Sequence, residues 1–156
     1  MTELWSEDRH YGRIAELFPV SLLDKLKEYD RSREAEEDPE VRARIDDIKQ
    51  SIQEEGFREP LMLLYNPYNG VAILGEGNHR LAAAKELGLE CVPLRIYRSR
   101  GMTKNRELWK SANKPVEVQG ALLRAEEGEY TPQEMSPSQV FPPGTLERCR
   151  VTIKGG

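Results

Sequence analysis

Val71-Ala72-Ile73-Leu74 runs without a break into Gly75-Glu76-Gly77-Asn78-His79-Arg80, and then into Leu81-Ala82-Ala83-Ala84. Four apolar residues bounded by glycine predict a buried strand. The segment after them predicts a helix from about Asn78 to Leu87, with Leu81, Ala84 and Leu87 as its apolar side. Ala82 and Ala83 are small enough to let that helix approach a sheet closely. Two glycines predict a tight turn between the two elements, with Asn78 near the helix cap. A helix start also carries unpaired N–H groups and the positive end of the peptide dipole, which attract anions. His79 and Arg80 add donors and charge at that place. No Gly-Lys-Ser/Thr follows the glycines, so the run is not a P-loop, and the dinucleotide fingerprint lacks its third glycine.

The flanking chain extends the pattern. Asp38-Pro39-Glu40 predicts a helix start, with a capping residue, proline in the first turn and acid beside it. Val41, Ile45, Ile48 and Ile52 recur at helical spacing, and Gly56 predicts the end. Pro60 to Tyr65 predicts a buried strand, Asn66 to Gly70 a turn, and Cys91 to Tyr97 a third strand. The order helix, strand, turn, strand, helix, strand predicts an α+β or α/β fold. Towards the N-terminus, Arg13 to Phe18 predicts a short helix, Phe18-Pro19-Val20 an extended piece, because the residue before proline avoids helix, and Ser21 to Leu26 a further short helix. Residues 30–38 read as a charged connector. Beyond Gly101, helices are predicted over Thr103–Ser111 and Val116–Ala125, and a last strand over Cys149–Ile153. The expected organisation is an arm over 1–17, a core over 18–101 and an extension over 102–156.

Composition narrows the class. The chain has 156 residues, of which 38% are hydrophobic and 32% charged, with a net charge of −4. No apolar run approaches a bilayer span, so no membrane association is expected, and a cytoplasmic setting is the default expectation. The acidic balance argues against a protein that grips DNA over its whole surface. Arg95, Arg98, Arg100, Lys104 and Arg106 nevertheless form a local basic stretch. Two cysteines far apart in sequence predict neither a disulfide framework nor a zinc site. Cys91 reads as a small core residue.

Three segments, in order, carry a family resemblance. They are Ser51-Ile52-Gln53-Glu54-Glu55-Gly56-Phe57-Arg58-Glu59-Pro60-Leu61, then Gly75 to Ala84, then Leu87-Gly88-Leu89-Glu90-Cys91-Val92-Pro93-Leu94. Together, over roughly Phe18 to Tyr97, they resemble the ParB/sulfiredoxin superfamily, which implies an α+β fold with a small mixed sheet flanked by helices. The resemblance implies a nucleotide pocket between Gly56–Leu61 and Gly75–Arg80. Pro60 and Leu61 would sit near the base or sugar. Gly75, Glu76, Gly77, Asn78, His79 and Arg80 would surround the phosphates. The ligand implied is a nucleoside triphosphate, ATP or CTP, with Mg2+. Sulfiredoxin carries its nucleophilic cysteine where this chain has Asn78. An amide cannot perform thiolate chemistry, so sulfinic acid reduction is not expected. ParB partition proteins read Gly-Glu-Arg-Arg here and continue into a helix-turn-helix domain. Neither Asn105-Arg106 nor Asn113-Lys114 matches their further phosphate-binding segment well.

On chemical grounds Arg80 is the best partner for a phosphate, His79 a second donor or proton carrier, and Glu76 a base or metal ligand, with Glu59 behind it. Each residue also has a plain structural reading. The Gly-x-Gly run can be only a tight connection, His79 and Arg80 a surface pair, and Glu76 a complement to the helix dipole. Three functions compete: an NTPase or phosphotransferase, a DNA-binding or nuclease module, and a non-catalytic interaction protein. In the last, Trp5, Trp109 and Phe141 would anchor a protein partner. A homodimer remains open in all three.

Overall fold

The computed structural model describes residues 15–67, 70–98, 118–119 and 133–149. The helices predicted over 103–111 and 116–125, and Trp5 and Trp109, lie outside these residues except for Val118 and Gln119. Strand β1 spans Glu16–Pro19, helix α1 Val20–Leu23, α2 Arg31–Glu34 and α3 Pro39–Glu55. Strands β2 (Leu61–Tyr65) and β3 (Ala72–Glu76) precede helix α4 (Asn78–Glu86) and strand β4 (Cys91–Arg98). A three-residue strand β5 (Gln133–Met135) and a short helix α5 (Pro137–Val140) follow. The result is a mixed α+β fold whose five-stranded sheet has the order β1-β4-β2-β3.

Local chemistry explains the central elements. The Asp38 carboxylate accepts from the Glu40 N–H at 2.9 Å, and Pro39 occupies the first turn of α3. The Gly56 N–H closes the other end on the Ile52 carbonyl at 2.8 Å. Strands β2 and β3 are antiparallel, whereas β2 and β4 are parallel, as a crossover through α4 allows. Alternation then sorts the side chains. Leu61, Leu63, Leu74, Leu94 and Ile96 join Ile45 and Ile52 of α3 and Leu81 to Ala84 of α4 in one core. Leu64, Val71 and Ile73 form a second, smaller cluster with Met62 and Tyr97. Glu86 of α4 accepts from Arg42 and Lys49 of α3 at 2.7 and 3.2 Å, so the two helices are tied at the surface as well.

Four sequence expectations are corrected. Residues 16–19 form a strand rather than the end of a helix, because they pair antiparallel with Leu94 to Cys91. The charged connector contains helix α2, whose start is capped by Asp30 accepting from the Arg33 N–H at 3.1 Å. Cys149 ends a helical turn rather than opening a strand, while residues 150–153 lie outside the described residues. The cysteines, far apart in sequence, are bonded: Cys91 and Cys149 form a disulfide with Cα atoms 5.9 Å apart.

The described C-terminal segment lies against the sheet. Strand β5 pairs with Ile96 to Arg98 of β4. Phe141 is buried with its ring centroid 5.0 Å from that of Phe18, so it serves the core rather than a partner. Glu16 accepts from both the N–H and the hydroxyl of Ser138, at 2.9 and 2.6 Å.

Candidate functional site

The junction between β3 and α4 is built by two glycines with different tasks. The β2–β3 register steps from Met62↔Glu76 to Leu63↔Leu74, so Gly75 is the extra residue of a bulge. A Cβ there would lie 2.8 Å from Leu64, on the sheet face opposite the helices. Gly75 therefore belongs to the bulge at the end of β3 rather than to the turn. Gly77 makes the turn alone, at φ 107°, and caps α4. A Cβ on Gly77 would meet Leu61 at 2.5 Å. Leu61 is itself fully buried beneath the turn and supports it from the core.

Asn78 is the first helical residue, not the cap. Its side chain is buried and well partnered. The amide nitrogen donates to the Leu74 carbonyl at 3.1 Å. The amide oxygen accepts from the Glu28 and Tyr29 N–H groups at 3.1 and 3.3 Å. Asn78 thus holds the segment before α2 against the end of β3.

Glu76, Gly77, Asn78, His79 and Arg80 border a cleft of about 600 Å3. Its other walls are Arg44, Ile48 and Ser51 of α3 and the segment Gly56 to Pro60. The structure therefore brings Pro60 together with Glu76 through Arg80, and leaves Gly75 and Leu61 outside the lining. Arg44 was not singled out from sequence. Its signal was present: Arg44, Ile48 and Ser51 stand at i, i+4 and i+7, one side of a single helix beside its apolar stripe.

Arg80 is half-buried, and its guanidinium donates to the Glu59 carbonyl at 2.6 Å and to that of Pro60 at 3.4 Å. It ties α4 to the segment that enters β2. Burial opposes its charge, and the carboxylates of Glu76 and Glu59 support it. His79 is held below the ordinary imidazole value, first by burial and then by the positive charges of Arg31 and Arg44, with Glu34 opposing. Arg58 on the cleft wall pairs with Glu55. Glu76 is exposed at the end of β3. Among the described residues, no three His, Cys, Asp or Glu side chains converge as a metal cluster. No helix among them is long and apolar enough to cross a membrane. Within the basic stretch, Arg95 is engaged by Glu134 at 2.5 Å, and Arg100, Lys104 and Arg106 lie outside the described residues.

No family model and no curated protein matches the chain. Among solved structures it is similar to the crystal structure of sulfiredoxin from Arabidopsis thaliana, with 19% identity and a TM-score of 0.41. The match covers 62% of this chain and 92% of that one. That likeness concerns the fold alone.

Proposed function

We propose that the cleft binds a nucleoside triphosphate, with its phosphates at the start of α4. The observation that carries this reading is the composition of the lining. Arg44 and His79 meet on the cleft with the N-terminus of a nine-residue helix. Ile48, Ile52, Phe57 and Pro60 supply apolar wall on the same cleft. Such a lining suits a ligand with one anionic and one apolar part. A volume of about 600 Å3 accommodates a molecule of that size. Arg80 fixes the shape of the cleft through two carbonyls and adds its charge beside them.

Hydrolysis or transfer of a phosphate is the finer proposal. Mg2+ needs only one or two carboxylates when phosphate oxygens and water complete its shell. Glu76, with Glu59 on the same cleft, offers that set. The ion would neutralise phosphate charge there, and phosphoryl transfer asks chiefly for such positioning and charge stabilisation.

Thermal shift and calorimetry with ATP, CTP, GTP, UTP and ADP, with and without Mg2+, test the binding. A triphosphate is expected to stabilise the chain by binding the folded state. Arg44→Ala and Arg80→Ala should each weaken that binding at least tenfold. A wild-type chain that binds none of the five overturns the assignment. Phosphate release by wild type, lost in Glu76→Gln with binding kept, is the result expected if the site is catalytic.

A further inference from the structure

We infer that the Cys91–Cys149 disulfide is a redox latch for the C-terminal segment, separate from the cleft. The bond joins the first residue of β4 to the helical turn at the end of the described chain, across 58 residues of sequence. The segment it fastens, residues 133–149, lies on the β1–β4 side of the sheet. Strand β5 takes the same edge of β4 as β1, one residue pair beyond it: β1 pairs over Cys91 to Leu94 and β5 over Ile96 to Arg98. None of residues 133–149 lines the cleft. The walls of the cleft come from α3, the entry to β2 and the β3–α4 junction, all between residues 44 and 80.

Among the described residues, the remaining fastening includes a three-residue strand, a four-residue helix, the Arg95–Glu134 pair, the Glu16–Ser138 bonds, the bonds of Gln119 to the backbone of Ser138, Val140 and Phe141, and the core residues Val140, Phe141 and Leu146. Without the crosslink these contacts resemble a unit that opens on its own, below the free energy of global unfolding. Opening it uncovers the outer edge of β4 at Ile96 to Arg98 and the ring of Phe18.

The chemistry is a thiol–disulfide exchange with a dithiol reductant. The S–S bond between Cys91 and Cys149 breaks and takes up two electrons and two protons, giving two thiols. The dithiol loses the same electrons and protons and closes to its own disulfide. Cys91 is 4% exposed and Cys149 0%, so attack must wait for the segment to open. The latch therefore answers a sustained reducing environment and not a brief one.

Amide hydrogen exchange on the full chain, before and after incubation with dithiothreitol, tests this. Amides of β5 and those of Phe141 and Cys149 should exchange at least tenfold faster after reduction, and recover on reoxidation. Those of Gly56 and Leu81, beside the cleft, should change less than twofold. A Cys91→Ala/Cys149→Ala variant should remain folded and behave as the reduced chain does. Equal acceleration throughout α3 and α4 overturns the latch, because the bond is then a staple for the whole fold. Unchanged exchange over 133–149, an unfolded double variant, or two titratable thiols in the untreated denatured chain overturn it as well.

Discussion

The cleft-bearing half of the molecule and the outer edge of β4 are held together by opposite means. From α3 to α4, β2 pairs with β3 and α3 packs on α4, all within one stretch of chain, and one glycine sets the geometry of the junction. Along the β4 edge, the partners come from the two ends of the sequence: Glu16 meets Ser138, Phe18 meets Phe141, and Cys91 meets Cys149. The first half depends on backbone conformation at a few positions. The second depends on long-range contacts that form only once the sheet exists. A defect in the first should therefore reach the cleft, and a defect in the second should not.

Gly77→Ala is expected to have the largest effect. The substitution places a side chain at φ 107° and drives its Cβ into fully buried Leu61. Backbone strain of about 1–3 kcal/mol and overpacking of about 1–3 kcal/mol suggest a loss of roughly 4 kcal/mol in denaturant unfolding. Nucleotide-induced stabilisation should vanish with it. Phe141→Ala should cost about 3 kcal/mol, near the lower end for a buried aromatic ring, since the ring lies at the periphery of the core. Its affinity for ligand should stay within twofold of wild type. A Phe141→Ala chain that loses ligand binding while still folded would show that the two halves are coupled after all.

The smallest effect concerns His79. Because its folded value is depressed, the unfolded chain binds the proton first as pH falls. Stability carried by neutral His79 is therefore complete above the ordinary imidazole value of about 6.5 and declines as pH drops towards the folded value. Ligand binding should run the other way. An anion favours the imidazolium, so affinity for inorganic pyrophosphate should rise about threefold between pH 7.5 and 5.5. His79→Asn should flatten that rise in calorimetry. Retention of the full slope in the variant would assign the proton to another group.

The same contrast explains what the sequence made legible. Helix α3 announced itself through Asp38, Pro39 and Gly56, and strands β2 to β4 through short apolar runs between turn residues. All of those signals act within a few positions. Strand β1 carried only a partial signal: Pro19 makes Phe18 extended, whereas Glu16 and Leu17 are extended because β4 is beside them. The disulfide could not be read from two cysteines far apart in sequence without the topology that closes the gap. Within the candidate site, His79, Arg80, Glu76 and Gly77 stood in one run. Arg44 did not, because it reaches the cleft from another helix and only its spacing from Ile48 and Ser51 points there. Gly75 was misread for a subtler reason. A bulge and a turn both favour glycine, and only the register of β2 against β3 separates them.

Asn78 has one more consequence. Strand β3 ends the sheet order, and an end strand with open N–H and C=O groups invites pairing with another chain. Here Lys27 bridges to Leu74 in parallel fashion. One turn further, the Asn78 amide gives and takes the hydrogen bonds that a neighbouring backbone would, towards Leu74 on one side and Glu28 and Tyr29 on the other. Beside the Lys27 bridge, one side chain thus joins the edge of β3 to the segment before α2.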